Sequence, residues 1–223
     1  MRQIGPPFRS ASARNHPIFW DRGEERRAGW GISMTPVHAT YALWGAWLAS
    51  WTVARFWSNR TAKRDSIAAE LFFRVLFYVG LLLLFAFPPS HSYGQTQLWQ
   101  FGRTMNWILV GATAAGLLFT WWARFHLGAL WSDLVVMKTC HQIVDTGPYG
   151  LVRHPIYSGL IFAVLATALQ KGTGFALLAV AVVTLAFSAK ARREERFLRK
   201  ELGEGAYDAY ARKTPMLVPF VQL

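Results

Sequence analysis

From Thr104 to Ala123 the chain reads TMNWILVGATAAGLLFTWWA, a run without one charged side chain. A helix needs about 20 predominantly apolar residues to cross the hydrocarbon of a bilayer, and this run supplies them. That places the protein in a membrane. The rest of the composition agrees: 16% of residues are charged and 53% hydrophobic, whereas a soluble domain carries about 25% charged residues.

Four further apolar segments predict an all-α integral membrane protein with about five transmembrane helices. The first runs from about Pro36 to Trp57 and the second from about Leu71 to Pro88. The uncharged run extends to Phe125 as the third, and His154–Gln170 and Gly172–Ala189 are the fourth and fifth. Only Lys171 separates the last two, so they form a tight antiparallel hairpin. Three regions follow: a basic extension over 1–33, spans one to three over 34–126, and a region over 127–223. The last holds spans four and five and a cytoplasmic amphipathic tail that lines a pocket with them.

The net charge of +12 fits membrane topology better than nucleic-acid binding. A nucleic-acid binder interleaves basic residues with exposed aromatics on a polar domain; here most Trp and Phe lie in or at the ends of apolar spans. With the C-terminal tail inside, Lys190, Arg192, Arg193, Arg196, Arg199, Lys200, Arg212 and Lys213 are cytoplasmic, as are the connections after spans one and three. The outer connections hold only Arg103 and Lys171, in line with the positive-inside tendency. The first 33 residues break this pattern with Arg2, Arg9, Arg14, Arg22, Arg26 and Arg27. They lack the apolar core of a secretory signal; either they form a disordered extension or the native chain starts at Met34, the reading preferred here. The single Cys140 excludes an internal disulfide and a cysteine-based metal cage. Beside it His141 makes two potential ligands without spaced partners, too few for a metal centre.

Chemistry concentrates after span three. Gly147-Pro148 is a turn signal, and Pro155 suits the first turn of a helix, so His154 marks the start of span four. Free N–H groups at such a helix start favour an anionic ligand group. His154 and Tyr157 are three residues apart and share a face. In KARREERFL, Lys190–Leu198, Lys190 and Glu194 are four apart and share another. The hairpin returns the end of span five to the side where span four began, bringing Glu194 and Lys190 near Tyr149, His154 and Tyr157.

GPYGLVRHPIYSG, followed by EERFL and then YDAYARKTPMLVPF, resembles the isoprenylcysteine carboxyl methyltransferase family from Leu127 to the C-terminus. The Arg-His-Pro-x-Tyr kernel is also similar to phospholipid N-methyltransferases and, more loosely, to membrane sterol reductases. The resemblance implies S-adenosylmethionine as methyl donor, a cytoplasm-facing site and a lipophilic acceptor such as a prenylated cysteine carboxylate. It implies a cofactor site of His141, Gln142, Ile143, Val144, Tyr149, His154, Pro155, Tyr157 and Glu194. It assigns the acceptor's carboxylate to Lys190, where eukaryotic members carry Arg; Lys keeps the charge and loses the two-pronged grip, so Arg192 or Arg193 could also serve. No metal is implied. Amine, phospholipid or thiol acceptors, an NADPH-dependent reductase and a non-catalytic scaffold stand as alternatives.

Ordinary roles account for other residues. Arg153 reads equally as a headgroup anchor, and Glu195 as a solvated partner of Arg199 at i,i+4. His38 and His126 read as core or interfacial residues, and Gly111, Ala115 and Gly116 as a surface for close helix packing.

Overall fold

The computed structural model describes residues 34–54, 63–64, 67–86, 97–128, 136–137, 144–202 and 204–221. The basic extension before Met34 and residues 141–143 lie outside them. Seven helices are described: α1 (Pro36–Ala54), α2 (Ile67–Phe85), α3 (Arg103–Leu127), α4 (Pro148–Leu151), α5 (Pro155–Lys171), α6 (Gly174–Leu202) and α7 (Glu204–Lys213). Two short strands, β1 (Lys63–Arg64) and β2 (Val136–Met137), pair antiparallel. Among the described residues, three helical segments are long and apolar enough to cross a membrane: Ala68–Phe85, Arg103–Leu127 and Gly174–Lys200. The apolar α5 is shorter.

The helix boundaries have local causes. At α1 the Thr35 hydroxyl accepts the His38 N–H (3.3 Å), and Pro36 occupies the first turn, where its missing donor costs nothing. Helix α2 starts four residues earlier than the apolar pattern predicts, which brings Glu70 inside it. Helix α3 ends at Gly128 with φ +50°. There Arg124 turns back to donate to the carbonyls of Gly128 (3.2 Å) and Ala54 (3.1 Å), tying the ends of α3 and α1 together.

Helices α5 and α6 form the expected hairpin. Gly172 adopts the left-handed conformation (φ +61°) and donates to the Ala168 carbonyl, the usual way a glycine closes a helix. The Thr173 hydroxyl then accepts the Ala176 N–H (3.3 Å) as α6 begins. Leu98 donates its N–H to Gly172 (2.7 Å) and Trp99 its indole N–H to Leu169 (2.8 Å), so the segment ahead of α3 clasps the turn.

Small residues and polar pairs bind the bundle. A Cβ at Gly116 on α3 would lie 2.7 Å from the Gly159 carbonyl oxygen on α5, and one at Gly159 would lie 2.7 Å from that of Gly116. The two backbones therefore touch, as small residues permit in membranes. Gly116 performs the packing role expected of it; Gly111 faces open space and Ala115 is exposed. Nearby, Trp44 donates to Thr167 (3.0 Å) and Trp47 to Thr120 (2.8 Å), joining α1 to α5 and α3 through buried hydroxyls. Gly159→Leu is expected to wedge α3 from α5 and cost about 1–3 kcal/mol. Thermal unfolding in detergent checks this, and an unshifted midpoint would refute it.

On the other side α2 runs antiparallel to α6. A Cβ at Gly80 would collide with the Val183 side chain. One step along, the Phe77 and Phe187 rings lie 5.5 Å apart. Further on, Glu70 meets Lys190. The outward faces remain apolar: Leu118, Phe125 and Leu185 are 66–70% exposed.

Candidate functional site

The site is built at the start of α5, where the chain changes direction twice. Gly147 has φ +58°, and a Cβ there would lie 2.6 Å from the His126 ring; both facts favour glycine. Pro148 then opens the one-turn α4, Val152 is extended and fully buried, and His154 precedes Pro155 at the first position of α5. This double turn places Tyr149, Arg153, His154 and Tyr157 around the point where α6 leaves the hairpin.

Four of these groups meet carboxylates or the tail. The Tyr157 hydroxyl donates to Glu194 Oε1 (2.6 Å). His154 lies between two acids, with Nδ1 3.4 Å from Glu194 Oε2 and Nε2 3.2 Å from Glu195 Oε1. Arg153 donates through Nε to Glu195 Oε1 (2.7 Å) and through a second guanidinium nitrogen to Oε2 (3.2 Å), a two-pronged charge-assisted pair. The backbone carbonyl of Tyr149 accepts the Tyr210 hydroxyl (2.7 Å).

Above them lies an aromatic stack. The rings of His154 and Tyr157 are parallel with centroids 5.5 Å apart, and those of Tyr157 and Phe187 are parallel at 4.8 Å. The Lys190 ammonium stands 5.7 Å from the centre of the Tyr157 ring, 2.9 Å from Glu70 Oε2 and 3.9 Å from Glu194 Oε1. Two carboxylates and an aromatic face around one cation are suited to recognising positive charge. Outside the spans, burial pushes the phenols of Tyr149, Tyr207 and Tyr210 well above the ordinary tyrosine value, which keeps them neutral.

The C-terminal tail closes the other side. Arg153 donates to the carbonyls of Ala211 (2.9 Å) and Thr214 (2.6 Å) through its guanidinium. The backbone N–H groups of Arg153 and His154 donate to Pro215 (2.8 Å) and Met216 (3.1 Å). Ser158 reaches Leu217 (2.6 Å). Met216 and Leu217 pack on Ala191 beside Tyr157 and Ile161.

The hairpin brings Tyr149, His154, Pro155, Tyr157, Lys190 and Glu194 to one end of the bundle, with Pro155 fully buried. Val144 and Arg193 are half-buried; His141, Gln142 and Ile143 lie outside the described residues. Two expectations need correction. Arg153 is no headgroup anchor, since its side chain is 8% exposed and committed to Glu195 and the tail. Glu195 is no solvated partner of Arg199: it is 4% exposed, and Arg199 prefers Asp208 at 2.9 Å over Glu195 at 3.9 Å. The anionic groups that reach the first-turn side chains of α5 are the protein's own carboxylates. His126 is exposed and lies 3.0 Å from the Thr146 hydroxyl. Glu70 escaped sequence reading altogether; the signal was an acid at the edge of an apolar run.

Known proteins share this part of the molecule. The sequence model of the isoprenylcysteine carboxyl methyltransferase family matches residues 108–200, from α3 through Glu194 and Glu195. Through this stretch, which is less than half of the chain, the protein is similar to that family. It is 35% identical over 82 residues to protein-S-isoprenylcysteine O-methyltransferase B of Arabidopsis thaliana, covering 36% of this chain and 41% of the relative. A nickel-cobalt-cadmium resistance protein of Alcaligenes xylosoxydans xylosoxydans is 29% identical over 120 residues, covering 53% and 54% of the two chains. A cobalt-zinc-cadmium resistance protein of Cupriavidus metallidurans is 34% identical over 102 residues, covering 44% and 45%. The chain thus spans about half the length, or less, of these curated relatives. The family match and the three membrane-length apolar helices among the described residues mark it as an integral membrane protein.

Proposed function

We propose that the protein is an integral membrane methyltransferase that moves the methyl group of S-adenosylmethionine onto a lipophilic acceptor, a carboxylate such as that of a prenylated cysteine. One observation carries this reading. Inside the family-matched stretch, Glu194 is met by Tyr157, His154 and Lys190, so acid, base and aromatic faces surround one point.

The donor set fits the cofactor. A sulfonium and an ammonium both favour carboxylates and aromatic faces, and Glu194 with the His154–Tyr157 stack offers both. Tyr149, His154, Pro155, Tyr157 and Glu194 would hold it, with His141, Gln142, Ile143 and Val144 completing the site. When bound, the cofactor supplies an activated methyl: the carbon–sulfur bond breaks, its electron pair returns to sulfur, and an acceptor oxygen bonds to carbon. A carboxylate of pKa roughly 3.5 is already ionised at neutral pH, so no residue has to remove a proton. The protein's task is alignment and exclusion of water, and good alignment can contribute about 7–11 kcal/mol.

Lys190 is assigned the acceptor carboxylate. An ammonium has three donors, and Glu70 takes one at 2.9 Å. Arg193 is the second candidate. Lys190→Ala is expected to raise the acceptor KM about tenfold or more while changing S-adenosylmethionine affinity less than about threefold. Unchanged acceptor kinetics would remove Lys190 from this role.

Five spans, counting α1 and α5, with the site and C-terminal tail on the cytoplasmic side complete the proposal; the basic residues beyond Ala189 support that side. Thermal shift of the detergent-solubilised protein with S-adenosylmethionine and with NADPH tests the whole reading. Stabilisation by S-adenosylmethionine is expected. A response to NADPH alone would move the chain to the reductase reading.

A further inference from the structure

Glu70 lies on α2, outside the family-matched residues 108–200, and is 5% exposed. It is one of two carboxylates that compete for the Lys190 ammonium. The other, Glu194, sits four residues along the same helix, the spacing at which Lys and Glu ordinarily pair. Here that pair is stretched to 3.9 Å, while Glu70 holds the ammonium at 2.9 Å. The contacts of Gly80 with Val183 and of Phe77 with Phe187 fix α2 in antiparallel register on α6. Glu70 therefore approaches Lys190 from a rigid neighbouring helix.

We infer that Glu70 is a positioning residue that draws Lys190 away from Glu194 and so leaves the Glu194 charge available to a cationic cofactor. The cofactor clause rests on the S-adenosylmethionine reading above. An ammonium closed onto Glu194 would neutralise the carboxylate that a sulfonium-bearing ligand needs. Held by Glu70, the same ammonium keeps donors free for an anionic acceptor. One carboxylate from an otherwise unassigned helix thereby separates the two charges that the site has to present.

The test uses the full chain in detergent and calorimetric titration with S-adenosylmethionine. Glu70→Gln is expected to weaken binding about tenfold, because the ammonium falls back onto Glu194. Glu70→Gln combined with Lys190→Met is expected to restore affinity to within about threefold of wild type, since the ammonium no longer competes for Glu194. A residue that merely held the fold would give no such rescue, and a double variant as weak as the single one would overturn the inference. So would wild-type affinity in Glu70→Gln.

If the wild-type protein binds no S-adenosylmethionine, the functional reading falls while the charge separation stays testable. The coupling between Lys190 and Glu194 is then measured by double-mutant cycles on thermal unfolding, in the wild-type and Glu70→Gln backgrounds. The coupling is expected to grow at least twofold when Glu70 is neutralised. No growth would overturn the role given to Glu70.

Discussion

Glu194→Ala is expected to abolish measurable binding of S-adenosylmethionine. Glu194 is the carboxylate on which Tyr157 (2.6 Å), His154 (3.4 Å) and Lys190 (3.9 Å) converge. Removing it takes away the negative charge nearest the aromatic stack and leaves a surplus of positive and neutral groups there. Truncating one partner of a desolvated charge pair costs about 2–5 kcal/mol of binding, roughly a thirtyfold loss of affinity or more. Glu194→Gln separates charge from shape, because its amide oxygen still accepts from Tyr157. It should fold like the wild type and bind nearly as poorly as the alanine variant. Calorimetry on both variants, with thermal unfolding as the fold control, decides the matter; retained affinity in either would take Glu194 out of the cofactor site.

Arg153→Ala should have the largest effect on stability. Its guanidinium joins Glu195, Ala211 and Thr214, so three parts of the chain lose a common fastener. Among the described residues, Glu195 would keep His154 and the distant Arg199 as basic neighbours. Breaking a buried ion pair from one side costs about 3–5 kcal/mol, whereas an interfacial anchor would cost little. The tail from Ala211 to Leu217 should loosen first, because its carbonyls are held from Arg153, His154 and Ser158. Hydrogen exchange of that segment reads the effect directly: faster exchange is expected there, with α3 unchanged. Undisturbed tail exchange would return Arg153 to the role of a surface anchor.

The two glutamates divide the site between them. Glu195 points towards Arg153 and the tail and is consumed by structure, while Glu194, one residue earlier, faces the aromatic stack. Adjacent helical positions are about 100° apart around the axis, so neighbouring acids serve different walls. His154 touches both and links the wall that holds the fold to the wall proposed for the cofactor.

The positions of the long helices and the hairpin were legible in the sequence because lipid leaves few choices. An uncharged run such as Thr104–Ala123 has to become a helix that satisfies its own backbone, and Gly172 beside Lys171 leaves room only for a tight reversal. The convergence of His154, Tyr157, Lys190 and Glu194 followed from helical spacing and the hairpin alone. The partners of Arg153, Glu195 and Lys190 were decided by the tertiary structure. An i,i+4 rule sees one helix at a time and so paired Glu195 with Arg199. It could not see that α5 begins against Glu195, or that α2 delivers Glu70 to Lys190. Buried charges choose the partner that desolvates with them, and that partner lies on another helix, brought there by packing of small residues such as Gly80 and Gly116.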